Sequence, residues 1–215
     1  MGINITSSNR INRELREYIE KNIFPSYLKN DRGHRQEHID YVIRRSLIFM
    51  DQFDDLDADM VYTAAAYHDI AHYINKDLHE ILSAKVFFED EEVKRYFSLD
   101  KRESIREAIE DHRSTMGNPP RSDYGKVLSS ADRSTDVDDF LRRTYAYSLK
   151  HFPEYTADEH MERCYKHMCN KYGKGGYAKS YVNDEEYLLF CNTIEALAED
   201  RKEFERRYLS VVHKA

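Results

Sequence analysis

The chain has 215 residues, of which 40% are hydrophobic and 34% are charged, and its formal net charge is −7. This balance predicts a globular protein with a solvated surface, and it excludes generic binding to nucleic acid, which needs a basic face. The three cysteines lack C-x-x-C spacing and no apolar run is long enough to span a bilayer, so we expect a cytoplasmic protein without a membrane partner.

The spacing of apolar residues predicts an all-α fold. Almost every segment between the few glycines and prolines carries apolar residues three and four positions apart, which is the helical period. The predicted helices are one that ends before Pro25, one from Gln36 to about Met50, and then Asp57–Tyr73, Glu80–Phe88, Lys101–His112, Tyr124–Ala131, Val137–Lys150, Asp158–Lys171 and Asp184–Leu209.

Two adjacent polar residues, His68 and Asp69, interrupt the apolar segment from Met60 to Ile74 on the third predicted helix. An unpaired carboxylate in an apolar interior is costly, so a cation or a salt bridge must compensate Asp69. Further histidines and an aspartate on neighbouring predicted helices favour the cation: His38, His79, His112 and Asp132.

Imidazole and carboxylate groups are ligands for Zn, Fe, Mn or Ni. A single histidine on an apolar face also has a simpler interpretation as a hydrogen-bonded core residue. His68 and His72 share the i,i+4 spacing of the zincin motif, but Asp69 stands where that motif has a glutamate, which disfavours a peptidase.

The ordered set His38, His68-Asp69 and Asp132, preceded by Gly33-His34 and with AAAYHDIAH around the doublet, has the form H…HD…D. This pattern resembles the HD superfamily of metal-dependent phosphohydrolases, in particular its stand-alone bacterial members. The resemblance implies a single-domain, all-α helix bundle of the HD type over residues 1–215. Its metal core would span about residues 30–140, followed by a helical C-terminal extension over about residues 141–215.

The resemblance also implies a metal site and a reaction. The ligands of one divalent metal ion (Mn, Fe, Co, Ni, Zn or Mg) would be His38, His68, Asp69 and Asp132. His79 and His112 would either bind a second metal ion or contact a phosphate, although their spacing differs from that of the better-known two-metal branches. The expected substrate is a phosphate ester, monoester or diester, of a nucleotide or a small phosphorylated metabolite.

Several residues near these blocks are candidates for catalysis and substrate binding. Asp69 would orient the attacking water, and His72 would protonate the leaving group. His72 and Asp77 stand where nucleotidase-like relatives have residues near the scissile phosphate. The candidates for phosphate binding are Arg35, Lys76, Arg113 and Arg133, because cationic side chains position and neutralise phosphates.

The sequence alone leaves two other functions open. A di-iron HD-fold oxygenase would require His79 and His112 to reach a second cation, and a non-catalytic ligand-binding HD protein would keep only a relic of the site. The long predicted helix Asp184–Leu209 also leaves a homodimer open.

Overall fold

The computed structural model describes residues 10–213, and within that range all regular structure is helical. The predicted all-α fold is therefore confirmed. The chain divides into two compact units, which meet in the sequence at Asp132 and Arg133. The first unit also includes Ser180–Asn183. The division lies close to residue 140, where the sequence predicts the start of an extension, and the single domain stays a prediction.

Within the described residues, the first unit contains six α-helices. They are α1 (Arg13–Asn22), α2 (Gln36–Phe49), α3 (Ala58–Tyr67), α4 (His79–Glu89), α5 (Leu99–Glu110) and α6 (Asp123–Ala131). Short polar residues begin several of them, since Asn12, Asp57 and Ser122 each accept a hydrogen bond from a backbone N–H of the first turn. Short 3₁₀ turns at Phe24–Lys29 and Arg32–His34 lead into α2.

Helix α3 lies in the middle of the first unit. Every residue from Met60 to Tyr67 is buried, and the helix packs against α2, α5 and α6. Its small residues Ala64–Ala66 let those neighbours approach closely. The segment Ser180–Asn183 is attached to the same unit, because the Tyr181 N–H donates to Ser130 Oγ at 2.8 Å.

The predicted third helix, Asp57–Tyr73, is too long. The observed helix ends at Tyr67, and the following residues form successive tight turns in which the N–H groups of Ile70 and His72 each donate to the carbonyl three residues before. The cause is the buried side chain of Asn30. Its Nδ2 donates to the Asp69 carbonyl and its Oδ1 accepts from the Tyr73 N–H, both at 2.9 Å. In a continuing helix the Tyr73 N–H would instead donate to the Asp69 carbonyl.

The second unit contains α7 (Val137–His151), α8 (Ala157–Tyr172), α9 (Glu185–Glu199) and α10 (Arg201–Val212). The prediction of one helix over Asp184–Leu209 is wrong, because Asp200 adopts an extended conformation and caps α10. Its side chain accepts from the N–H groups of Lys202 and Glu203, both at 3.1 Å. The homodimer that the long helix left open stays a prediction. None of the described helices is long and apolar enough to cross a membrane.

Candidate metal centre

The turns that follow α3 place His68 and Asp69 in the interior of the first unit. His68 is the C-cap residue of α3 and is fully buried, and Asp69 is 3% exposed. The backbone of His68 keeps helical angles (φ −55°, ψ −36°), so neighbouring side chains still point about 100° apart. Two adjacent side chains can then reach one point only where the backbone passes close beside it.

One oxygen of Asp69 faces a first set of ligand-type atoms. Asp69 Oδ2 lies 3.7 Å from His38 Nε2 and 3.5 Å from His68 Nε2. Asp132, the C-cap residue of α6, places Oδ1 at 3.1 Å from His38 Nε2 and 3.9 Å from His68 Nε2. The structure thus brings together the four residues that the sequence predicts as ligands of one metal ion.

The other oxygen of Asp69 faces a second set. Asp69 Oδ1 lies 3.3 Å from His79 Nε2 and 3.6 Å from His112 Nε2, and the two Nε2 atoms are 3.1 Å apart. His79 is the first residue of α4, and His112 follows the end of α5. The sequence leaves open whether His79 and His112 bind a second metal ion or contact a phosphate. The structure places both beside the Asp69 carboxylate.

The tautomers of three histidines follow from their backbone contacts. Nδ1 lies close to the carbonyl three residues earlier in His68 (2.8 Å), His79 (2.8 Å) and His112 (2.6 Å). A carbonyl only accepts, so each Nδ1 carries a proton and donates it. In the neutral rings the lone pair is therefore on Nε2, which faces Asp69. Histidines that bind metals are commonly oriented by such a hydrogen bond from the other ring nitrogen.

Three buried ligand-type atoms of the centre lack a hydrogen-bond partner. The buried atoms His38 Nε2, His68 Nε2 and Asp69 Oδ1 make no hydrogen bond of acceptable geometry to the protein. An unsatisfied buried polar atom costs about 1–3 kcal/mol, and more when it is charged. A divalent cation in each set would satisfy these atoms, so the donor sets fit metal ions.

The buried carboxylate and imidazoles shift one another's pKa values. Burial acts to raise the pKa of Asp69, but the imidazoles of His68 and His112 hold it well below its usual range. Burial lowers the pKa of His68 to about 4, so this ring is neutral near pH 7. Burial also acts to lower the pKa of His112, but the Asp69 carboxylate outweighs it and raises that pKa.

His72 lies next to the second set but belongs to another group. Its ring centroid is 5.1 Å from that of His79, and it stacks on His34 at 3.8 Å. Burial, followed by the charge of His34, lowers the pKa of His72 to about 4. A ring that is neutral at pH 7 is a better proton acceptor than donor. This disfavours the predicted role of His72 as a general acid.

The other predicted catalytic residue and two of the predicted phosphate ligands lie at the surface. Asp77 is 74% exposed, and Arg35 and Lys76 are exposed as well. Arg113 is partly buried and already contacts carboxylates, with Nη1 at 3.2 Å from Glu80 Oε1 and Nη2 at 3.8 Å from Asp77 Oδ1. A phosphate at Arg113 would therefore compete with two acidic side chains.

Arg133, the fourth predicted phosphate ligand, is the first residue of the second unit. Its side chain is buried, and its Nε donates to the Lys179 carbonyl at 3.0 Å. Within the second unit this contact holds the chain at residue 179. Its role in substrate binding stays a prediction.

Asn30 is the residue that the sequence analysis missed. It is 2% exposed, and besides the two hydrogen bonds to the turn after α3 it donates from Nδ2 to the His34 carbonyl at 3.0 Å. One side chain thus fixes both the turn that carries Asp69 and the segment that leads to His38. An asparagine in a predicted loop is usually a turn residue, so no local pattern distinguishes it.

Comparisons with known proteins bear on the family and the fold. The family model of the HD domain matches residues 35–135, a range that contains both ligand sets. Among solved structures, the chain is similar to the crystal structure of a predicted HD superfamily hydrolase from an uncultured Thermotogales bacterium. The TM-score is 0.52 at 18% identity, over 96% of this chain and 98% of the other. At this identity the likeness shows the fold. No curated protein matches the chain.

Proposed function

We propose that the chain, whose residues 35–135 match the HD-domain family model, is a metal-dependent phosphohydrolase of the HD superfamily. The proposed substrate is a phosphate ester of a nucleotide or another small phosphorylated metabolite. The observation that carries the proposal is the position of Asp69, whose two oxygens face two separate sets of imidazole nitrogens.

The proposal includes two divalent cations that share Asp69. The first would be held by His38, His68, Asp69 and Asp132, and the second by Asp69, His79 and His112. A cation pair of this kind activates water as a nucleophile and neutralises charge on a phosphoryl oxygen. Imidazole and carboxylate ligands suit Mn, Fe, Co, Ni and Zn alike, so the donor set does not select among them.

The chain's own groups supply orientation and charge around this centre. The hydrogen bonds from Nδ1 hold three imidazoles in place, so little reorganisation is needed when a cation or substrate binds. Arg113 directly follows His112 of the second set, but a phosphate there would compete with Glu80 for the guanidinium. Arg35, Lys76, Arg133, His72 and Asp77 remain proposed contributors to substrate binding or catalysis.

The proposal is tested by measuring phosphate release from a panel of nucleotides, dinucleotides and sugar phosphates with Mn²⁺, Co²⁺, Ni²⁺, Fe²⁺, Zn²⁺ or Mg²⁺ added to metal-free protein. We expect turnover of at least one compound with one metal, and its loss in His68→Ala. The control is His151→Ala, which removes an exposed histidine of the second unit. Full activity of His68→Ala, or no turnover by protein shown to hold metal, would contradict the proposal.

The second set also favours one alternative, the di-iron oxygenase, because that function requires His79 and His112 at a second cation. Oxygen consumption separates the two functions. A hydrolase loaded with Fe²⁺ releases phosphate without oxygen, whereas an oxygenase consumes O₂ and turns over nothing under anaerobic conditions. A non-catalytic HD protein would bind metal and ligand and show neither reaction.

A further inference from the structure

A third group of ligand-type side chains lies outside both sets around Asp69. It consists of Asp31, His34 and His72, each of which offers one atom within 4.8 Å of the other two. Asp31 Oδ1 lies 2.7 Å from His34 Nδ1, and Asp31 Oδ2 lies 4.0 Å from His72 Nδ1. The two oxygens of one carboxylate therefore face two different imidazoles, as in the centre around Asp69.

Backbone contacts hold this group in place. Asp31 caps the 3₁₀ turn Arg32–His34 by accepting from the Gly33 N–H at 2.9 Å. His72 lies in the turns after α3, which Asn30 fixes, and Asn30 also donates to the His34 carbonyl. Both segments of the group are thus tied to one buried side chain. The fold therefore holds the backbone of the group in place.

A hydrogen bond between His34 and Asp31 accounts for only part of this arrangement. The 4.0 Å between His72 Nδ1 and Asp31 Oδ2 is too long for a hydrogen bond, yet the His72 ring lies parallel to His34 at 20° and 3.8 Å. Two bonds of a zinc-type ion, at about 2.1 Å each, span up to about 4.2 Å. A cation could therefore join Asp31 and His72 without a change in the backbone.

The charge states also suit a cation. His34 holds the pKa of Asp31 well below its usual range, so Asp31 is a carboxylate at neutral pH. The low pKa of His72 leaves that ring neutral with a free lone pair. The side chain of Asp31 is 55% exposed, whereas that of His72 is 13% exposed. One side of the group is therefore open to water or to an added ligand.

We propose that Asp31, His34 and His72 form a further divalent-cation site, distinct from the two sets that share Asp69. Two imidazoles and one carboxylate suit Zn²⁺, Co²⁺, Mn²⁺ or Fe²⁺, and three protein ligands leave coordination positions open on the exposed side. The site assigns His72 the role of a ligand. It does not rest on the proposed hydrolysis, because it concerns metal binding alone.

The test counts metal ions in the full-length protein. Metal-free protein is loaded with Mn²⁺ or Zn²⁺, passed through gel filtration and measured by elemental mass spectrometry. We expect Asp31→Asn and His34→Gln each to hold one equivalent fewer than the wild type. The matched control, His151→Gln, removes an exposed histidine of the second unit whose ring stacks on Tyr147 at 4.1 Å, and it should lose none.

Two outcomes would overturn the proposal. One is an equal number of metal equivalents in the wild type and in both variants. The other is the loss of every metal equivalent at once, which would show that the group only stabilises the centre around Asp69. A crystal soaked with Co²⁺ gives an independent measurement, since an anomalous peak between Asp31 and His72 is expected. No peak there would contradict the site even if the variants fail to fold. Neither readout depends on phosphate release, so the proposed function is tested separately.

Discussion

Two buried histidines, one in each unit, show how differently the same residue is used. In the second unit, His160 is 4% exposed, and its Nδ1 lies 2.7 Å from the hydroxyl of the buried Ser148. In the first unit, His68 is fully buried, donates from Nδ1 to a carbonyl and leaves Nε2 without a hydrogen bond. Burial alone therefore does not indicate a metal ligand.

The distinguishing feature is which polar atoms remain without partners and where they point. Within residues 10–213, all groups of three metal-type side chains with converging ligand atoms lie in the first unit. The second unit instead has a core of apolar and aromatic side chains, in which Phe140, Tyr172 and Phe190 contact one another edge to face. We infer that the first unit carries the metal chemistry and that the second contributes a packed helical structure.

The largest expected effect comes from Asp69→Ala. This change removes the oxygens that face both sets, so we expect loss of both metal ions and a fall in turnover of more than about 100-fold, since even the partners of metal ligands cost 10- to 100-fold. Elemental analysis and phosphate release measure the two effects, and circular dichroism checks that the helices remain. Retention of two metal ions by Asp69→Ala would contradict the assignment of the metal chemistry to this centre of the first unit.

Asn30→Ala should have the next largest effect. The variant loses three hydrogen bonds that fix the turn after α3 and the segment before His38. We expect turnover and metal affinity to fall about 10- to 100-fold, as for residues that orient metal ligands. The control is Asn22→Ala, which removes an exposed side chain that bonds to the Tyr18 carbonyl. Equal metal affinity in Asn30→Ala and the control would show that Asn30 does not position the centre.

His160→Ala should affect stability and leave metal binding unchanged. The substitution leaves the Ser148 hydroxyl buried without its partner, at a cost of about 1–3 kcal/mol in the free energy of unfolding. Urea denaturation followed by circular dichroism measures this cost, and elemental analysis counts the metal. If His160→Ala lost metal, the assignment of the metal chemistry to the first unit alone would be wrong.

The smallest expected effect near pH 7 comes from His167 in the second unit, because it appears only as the pH falls below 6.5. Burial, with the charges of Lys171 and Arg163, lowers the pKa of this ring from 6.5 to about 4. Because the folded pKa lies below the unfolded one, its contribution to stability is present above pH 6.5 and is lost as the pH falls to about 4. The contribution is roughly 1–3 kcal/mol.

Urea denaturation of metal-free protein between pH 7 and pH 4 measures this dependence. His167→Gln should lose less stability than the wild type over that range, whereas the exposed His151→Gln should follow the wild type. Identical slopes in all three proteins would show that the fold does not lower the pKa of His167.

The sequence predicts much of this structure because its strongest patterns are periodic or ordered. Helical spacing locates nearly every helix. The order of His38, His68-Asp69 and Asp132 indicates the resemblance to the HD superfamily. What it misses depends on contacts between distant segments. Asn30 bonds to groups 39 and 43 residues away and ends α3 early, and no local pattern encodes such a contact.

The break at Asp200 was missed for a related reason. The apolar stripes of α9 and α10 lie on either side of the charged segment of residues 199–203, whose residue types are common inside helices, and the capping aspartate begins a second helix there. The positions of His79 and His112 likewise depend on how α4 and α5 pack. Their spacing alone does not show that both face Asp69, whereas the folded chain places them there.

The central claim is that Asp69 joins two cation sites, and electron paramagnetic resonance of the Mn²⁺-loaded protein tests it most directly. Two Mn²⁺ ions that share one carboxylate are magnetically coupled. We predict a coupled signal in the wild type and in His160→Ala, and an uncoupled signal in His79→Gln, which disrupts only the second set. A wild-type spectrum of uncoupled ions alone would contradict the shared role of Asp69.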